Sequence, residues 1–204
     1  MMKEKEIRQI IVNDIEVRSN EDNSAQTISG YINKFNTMSQ FMGFYEQVAP
    51  GAFDKTLSDG HNIFAMYNHD SNKILGSTRG GSLTLSVDNI GLKFNLEINS
   101  NISYANDVYE LVKSGDIQGC SFGFFVLADE WSFTEDMADL RTITEVELIE
   151  VTITPFPAYL DSEASCRSYE KHNLEVKRSK ELNELRKELE IIELENELEE
   201  FTNE

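Results

Sequence analysis

The chain has 204 residues, 40% of them hydrophobic, and carries 18 basic against 37 acidic side chains for a formal net charge of −19. That length suits one compact domain with a real core plus an appendage, and two ordinary domains would be a tight fit. A balance this acidic argues against a nucleic-acid surface, which needs clustered Lys and Arg, and against anionic membranes. No apolar run approaches the roughly 20 residues that cross a bilayer, and Met1-Met2-Lys3-Glu4-Lys5-Glu6 lacks the apolar centre of a signal peptide. The expected location is inside a cell, where Cys120 and Cys166, lacking metal-site spacing, read as free thiols. Neither a metal cluster nor a phosphate-binding loop is evident, so no cofactor and no metal is expected.

Residues 1 to about 25 are polar and end in Ser19-Asn20-Glu21-Asp22-Asn23-Ser24, a turn or loop after a short strand at Ile10 to Val17. From about 27 to 160 the pattern is mainly β, with strand signals at Ile28 to Phe35, Asn62 to Tyr67, Ile117 to Val126 and Arg141 to Thr154. Leu83, Leu85 and Val87 alternate with polar residues, as do Leu92, Phe94, Leu96 and Ile98, and Asp88-Asn89-Ile90-Gly91 between them reads as a hairpin connection. Ser103 to Ser114 reads as a helix with Tyr104, Val108, Leu111 and Val112 on one side. Many short strands with few helices suggest a barrel or a sandwich. After Pro155 and Pro157 neither proline nor glycine recurs, which predicts a long helix from about Tyr169 to Phe201. Leu182, Leu185, Leu189 and Ile192 follow a coiled-coil seam that then shifts phase to Leu194, Leu198 and Phe201, favouring a short pairing segment over a long regular coil. From Glu188 onward there are eight glutamates and no basic residue, a solvated helix or a partner-binding one.

Three segments carry chemistry: Tyr67-Asn68-His69-Asp70, Gly119-Cys120-Ser121-Phe122-Gly123-Phe124 and Glu147-Leu148-Ile149-Glu150-Val151-Thr152. A histidine can take a proton from a serine hydroxyl while a carboxylate on its other nitrogen fixes the tautomer and stabilises the imidazolium. His69 ends an apolar strand that can aim it rigidly, whereas His61 and His172 read as surface or hydrogen-bonded residues. Alternation puts Ile117, Gly119, Ser121, Gly123 and Phe125 on one face, where two glycines leave room for a substrate backbone, or else mark close packing in a small barrel. Cys120 is the rival nucleophile, but alternation points it away from Ser121, among Phe122 and Phe124, as a buried thiol. Glu145, Glu147 and Glu150 all compete for the carboxylate role, with Asp70 a further candidate; on strict alternation Glu150 shares a face with Val146, Leu148 and Thr152.

From about Gly30 to Arg167 the sequence resembles the prohead, or head maturation, serine proteases of tailed bacteriophages. The resemblance rests on a spaced set: Gly30-Tyr31 with Phe35, Glu46-Gln47-Val48-Ala49-Pro50-Gly51-Ala52-Phe53, Asn68-His69-Asp70, Ile74-Leu75-Gly76, Gly91-Leu92, Gly119 to Phe124, and Leu148-Ile149-Glu150-Val151 followed by Pro157-Ala158. It implies a mainly β fold with some α, a closed or partly open antiparallel β-barrel with a peripheral helix, similar to the herpesvirus assembly proteases and followed by a long C-terminal helix. Residues 1–26 would then form a polar arm or edge strand, 27–166 the protease domain, and 167–204 an acidic helical tail that docks on scaffold or is removed by self-cleavage. Those viral relatives complete the triad with a second histidine. Here no histidine lies between His69 and His172, so the resemblance carries the third role to Glu150, with Glu147 second.

The implied mechanism has neutral His69 deprotonating Ser121, attack on a peptide carbonyl, and hydrolysis of the acyl-enzyme, with oxyanion donors in the segment after Glu150. Activity should fall as pH drops through the ordinary histidine range, roughly 6 to 7. The implied substrates are scaffold, extensions of the major capsid protein and the protease itself, inside an assembling procapsid in the host cytoplasm; self-association is expected, and neither nucleic acid nor membrane is. A non-catalytic capsid assembly or scaffolding protein is the alternative. An esterase reading fails on context, because Gly119-Cys120-Ser121-Phe122-Gly123 has nucleophile-elbow spacing but runs on as strand with no βα alternation around it.

Overall fold

The computed structural model describes residues 5–11, 15–19, 26–155 and 163–202. Contacts divide the chain into two compact units, Met1–Ala164 and Ser165–Glu204. Among the described residues ten strands run in chain order as β1 (Glu6–Ile11), β2 (Glu16–Ser19), β3 (Gln26–Lys34), β4 (Tyr45–Val48), β5 (Phe64–Tyr67), β6 (Asp70–Ser77), β7 (Leu83–Val87), β8 (Gly91–Ile98), β9 (Gly119–Phe133) and β10 (Asp139–Thr154). The helices are α1 (Asp54–Ser58), α2 (Ser103–Lys113) and α3 (Glu163–Thr202). The reading of one strand from Ile10 to Val17 is therefore corrected to two strands, which belong to different sheets.

The first sheet has the order β1-β9-β10-β5-β6 with β4 also on β10, and the second β2-β3-β8-β7. The expected closed, antiparallel barrel is not what forms. The larger sheet curls into a half-barrel that stays open, and it is mixed, because β10 pairs parallel with both β4 and β5. The reason lies in the 16-residue length of β10: one strand this long serves several shorter partners along its two edges, so the sheet bends around it instead of closing on itself.

Between the sheets lies an apolar core to which Ile28, Leu92, Phe94, Leu96, Phe122, Phe124, Val146 and Leu148 contribute fully buried side chains. The β7–β8 hairpin forms as its alternation predicts, with Leu83 opposite Leu96 and Val87 opposite Leu92. In the peripheral helix α2 the buried face is Ala105, Val108, Tyr109 and Val112. Leu111 is exposed instead, because the small Ala105 and the large Tyr109 set the stripe one position away from that read off the sequence. Aromatic stacking reinforces the inner face of β9, with Phe122 and Phe124 at 4.9 Å and Phe53 edge-on to Phe122 at 5.9 Å.

The second unit holds all but the first two residues of the long helix α3, in which Leu174, Leu182, Leu185 and Leu189 are exposed. Among the described residues no helix is long and apolar enough to cross a membrane.

Candidate active site

β9 and β10 set the site's floor, and a bulge sets its faces. Opposite β9, Leu148 pairs with Phe124 while Glu150 pairs with Gly123, so two steps along β10 answer to one along β9. Ile149 is the extra residue, and it reverses which side of the sheet the following side chains take. Leu148 consequently joins the core, whereas Glu150 and Thr152 share the opposite face with Gly123 and Ser121. The face drawn from strict alternation, with Glu150 beside Val146 and Leu148, is corrected by this bulge; only Thr152 stays with it.

His69 is not on a strand. Tyr67 pairs with Asp70, which leaves Asn68 and His69 as a two-residue turn, with φ of 52° and 57°. Left-handed geometry at both central positions is the hairpin form whose twist matches the flanking strands, and asparagine tolerates it well. Side chains and backbone of β10 hold the turn: the Asn68 amide donates to the Ile153 carbonyl at 3.0 Å, the Thr154 hydroxyl to Asn68 Oδ1 at 2.9 Å, and the His69 amide to Thr152 Oγ1 at 3.3 Å. Three contacts thus fix a histidine in a conformation that costs about 1 kcal/mol or more on its own.

That turn delivers His69 Nδ1 to within 2.7 Å of Glu150 Oε1. The other carboxylate oxygen accepts the Thr152 hydroxyl at 2.9 Å, and Lys5 Nζ donates to Oε1 at 2.9 Å. Burial alone would raise the Glu150 carboxyl, but the His69 hydrogen bond and charge, with the Lys5 ammonium, hold it below the usual carboxylate range. An ionised Glu150 can only accept, so Nδ1 keeps its hydrogen and donates to it, which fixes the tautomer whose lone pair is on Nε2. His69 Nε2 is buried and has no hydrogen-bond partner among the described residues.

Ser121 lies directly opposite Thr152 across the ladder and is fully buried. Its hydroxyl donates to the Arg8 carbonyl of β1 at 2.9 Å. The structure therefore joins His69 to Glu150 and sets Ser121 on the same sheet face, with the serine proton directed at β1. Glu147, second for the carboxylate role, is exposed, and it adds to the field at His61. Glu145 pairs with Lys55 at 2.7 Å, and the exposed-side Asp70 carboxylate accepts from Asn72. Cys120 is fully buried on the core face, and burial pushes its thiol up to about 12, leaving no thiolate near neutrality.

Both glycines flanking Ser121 make room for the protein itself. A Cβ on Gly119 would lie 2.6 Å from the Thr154 backbone oxygen, and one on Gly123 would lie 2.4 Å from Glu150 Oε1 and 2.3 Å from Lys5 Cε. The first is close packing; the second is the seat of the carboxylate. His61, too, supports this strand, with Nδ1 2.5 Å from Asp59 Oδ1 and Nε2 2.6 Å from the Leu148 carbonyl. Burial lowers its pKa, but these two acceptors raise it further, for a net upward shift. Thr56 Oγ1 takes the Leu148 amide at 2.9 Å, so α1 and His61 together cap β10 just before its bulge. Sequence reading missed Thr152, Lys5 and the turn anchors. Thr152 could have been found from its two-residue spacing to Glu150, but Lys5 is 145 positions away and carries no signal.

The bacteriophage T4 capsid assembly protease gp21 shares this fold with a TM-score of 0.53 at 9% identity, over 74% of this chain and 96% of that one. The prohead protease of Escherichia phage T5 is 29% identical over 101 residues, half of this chain; the chain spans 44% of that relative's length. The family model described as caudovirus prohead serine protease matches residues 13–175, a span holding His69, Ser121 and Glu150. By that match the chain belongs to the caudovirus prohead serine protease family.

Proposed function

We propose that this chain is a serine endopeptidase of procapsid maturation, with Ser121 as nucleophile, His69 as general base and Glu150 as the carboxylate that orients the imidazole. The observation that carries the reading is the 2.7 Å Glu150–His69 pair, which leaves a buried Nε2 without a partner among the described residues, on the face that also holds Ser121. A lone pair held there is what a serine hydroxyl needs when it attacks a carbonyl, and the carboxylate behind it stabilises the imidazolium that results. Thr152 keeps the second carboxylate oxygen engaged, which restricts Glu150 to one rotamer.

The tetrahedral intermediate requires amide donors. Residues Glu150–Ile153 are laddered to β9 on one edge and β5 on the other, so their amides are engaged and the donors are assigned to the chain beyond Thr154. Of that stretch, residues 156–162, including the Pro157-Ala158 motif, lie outside the described residues.

The substrates, by kinship with prohead and capsid assembly proteases, are scaffold, extensions of the major capsid protein and the chain itself, cut inside the procapsid in the host cytoplasm by self-associating enzyme. Co-expression of wild type or Ser121→Ala with the cognate capsid protein, followed by intact mass of both, tests this. Shortened capsid protein with wild type alone is the expected result; whole chains in both, with shells assembled, would favour the non-catalytic assembly role.

A further inference from the structure

β1 occupies the outer edge of β9 at the height of Ser121. Its register places Arg8 opposite Phe122 and Gln9 opposite Ser121. Because β1 is the terminal strand of the sheet, its departure would leave β9 as an open edge whose backbone groups could pair with an extended peptide. The Ser121 hydroxyl already touches a peptide carbonyl there, that of Arg8, but donates its proton to the oxygen. Attack would require the proton on His69 Nε2 and the oxygen lone pair on the carbonyl carbon. On the same face Lys5 shares Glu150 Oε1 with His69, so the carboxylate that would stabilise an imidazolium is already partly neutralised.

Alternate residues of β1 face the other way into a built socket. Glu6 and Arg8 enter between Glu46 and Arg141, which are both buried: Arg8 bonds both Glu46 and Glu6, and Arg141 Nη1 lies 3.1 Å from both Glu6 Oε2 and Glu46 Oε2. Arg8 also lies 5.7 Å over the Phe124 ring. Glu46 and Arg141 keep each other when β1 leaves, which lets the socket stand open without an orphaned charge.

On the serine protease reading above, we propose that the edge of β9 held by β1, with Ser121 on one face and Glu46 and Arg141 on the other, is the binding site for an extended peptide substrate, and that β1 is its internal occupant. Strand exchange then couples peptide entry to activation. A peptide in the same register sets the residue whose carbonyl meets Ser121 over Glu46 and Phe124, and the residue two before it beside Arg141.

The test uses the full chain, a fluorophosphonate probe and intact mass, comparing wild type with Glu6→Ala/Arg8→Ala, while hydrogen exchange follows residues 5–11. The double variant should exchange faster over β1 and acylate at Ser121 at least roughly tenfold faster, since its competent fraction rises. A synthetic peptide spanning Lys5 to Ile11 should slow that reaction. Faster exchange with unchanged labelling overturns the inference and leaves the serine reading standing. No labelling in any version overturns both. If the double variant does not fold, Ile10→Pro, which removes an amide that the register turns toward β9 and so loosens the edge strand, takes its place with the same two readouts.

Discussion

Two buried polar clusters meet β1 from opposite faces, and they are finished differently. In the socket, Glu6, Arg8, Glu46, Arg141 and Asp129 bond one another, Arg141 reaching Asp129 at 2.6 Å. In the His69 cluster, Glu150 accepts from three donors that engage both of its oxygens, yet Nε2 has no partner among the described residues. A fully paired cluster fixes a strand; a cluster that keeps one buried lone pair unspent holds a reactant's place.

The sharpest way to break the comparison is Glu150→Gln, which keeps shape but removes the charge behind His69. Acylation of Ser121 should drop roughly 100- to 10,000-fold, with the fold retained by circular dichroism. A rate within a few-fold of wild type would move the carboxylate role elsewhere. On the socket side, Arg141→Met strands Glu6, Glu46 and Asp129 against one remaining guanidinium, and should cost about 3–5 kcal/mol in denaturant unfolding. A cost near zero would mean that water already serves these carboxylates.

The glycines sharpen the distinction at lower cost. Gly119→Ala presses on a backbone oxygen that cannot move, so stability should fall by about 1–3 kcal/mol. Gly123→Ala meets the flexible Lys5 and the Glu150 carboxylate, so acylation should suffer more than stability. Equal effects at the two sites would erase the contrast.

Acid supplies the smallest and most graded perturbation. Burial raises Glu46, but Arg8 and Arg141 more than offset it, and Glu150 is likewise held low. Depressed folded values mean that the stability from these groups is complete above the ordinary carboxylate value of about 4.3 and is lost as pH falls through their lower folded values. His61 runs the other way. Its raised folded value makes its contribution complete below about 6.5 and lost as pH rises through the folded value. Thermal melts of wild type and His61→Gln from pH 3 to 9 should separate the two windows; a variant curve parallel to wild type above pH 6 would remove His61 from the account.

Most of the strands were legible because period-two alternation is local: the β7–β8 hairpin and the inward Cys120, Phe122 and Phe124 follow from the pattern alone. The pattern puts His69 at the end of the Asn62 to Tyr67 strand but does not show the two-residue turn at Asn68-His69, because the φ > 0 preference of asparagine is weak beside an apolar run. β4, α1 and β6 were not singled out: β4 and α1 are only four and five residues long, and β6 is exposed over its first half.

By itself the amino-acid sequence determined the residue types and their spacing: a histidine, a serine between glycines and a glutamate, each in its own apolar segment. Only the tertiary structure decided that one extra residue at Ile149 turns Glu150 toward His69, and that Lys5 and Arg8 reach the same site from the other end of the chain. Side-chain period is a property of neighbours in the chain, whereas a bulge is defined only against a partner strand, and strand pairing joins residues regardless of the number between them.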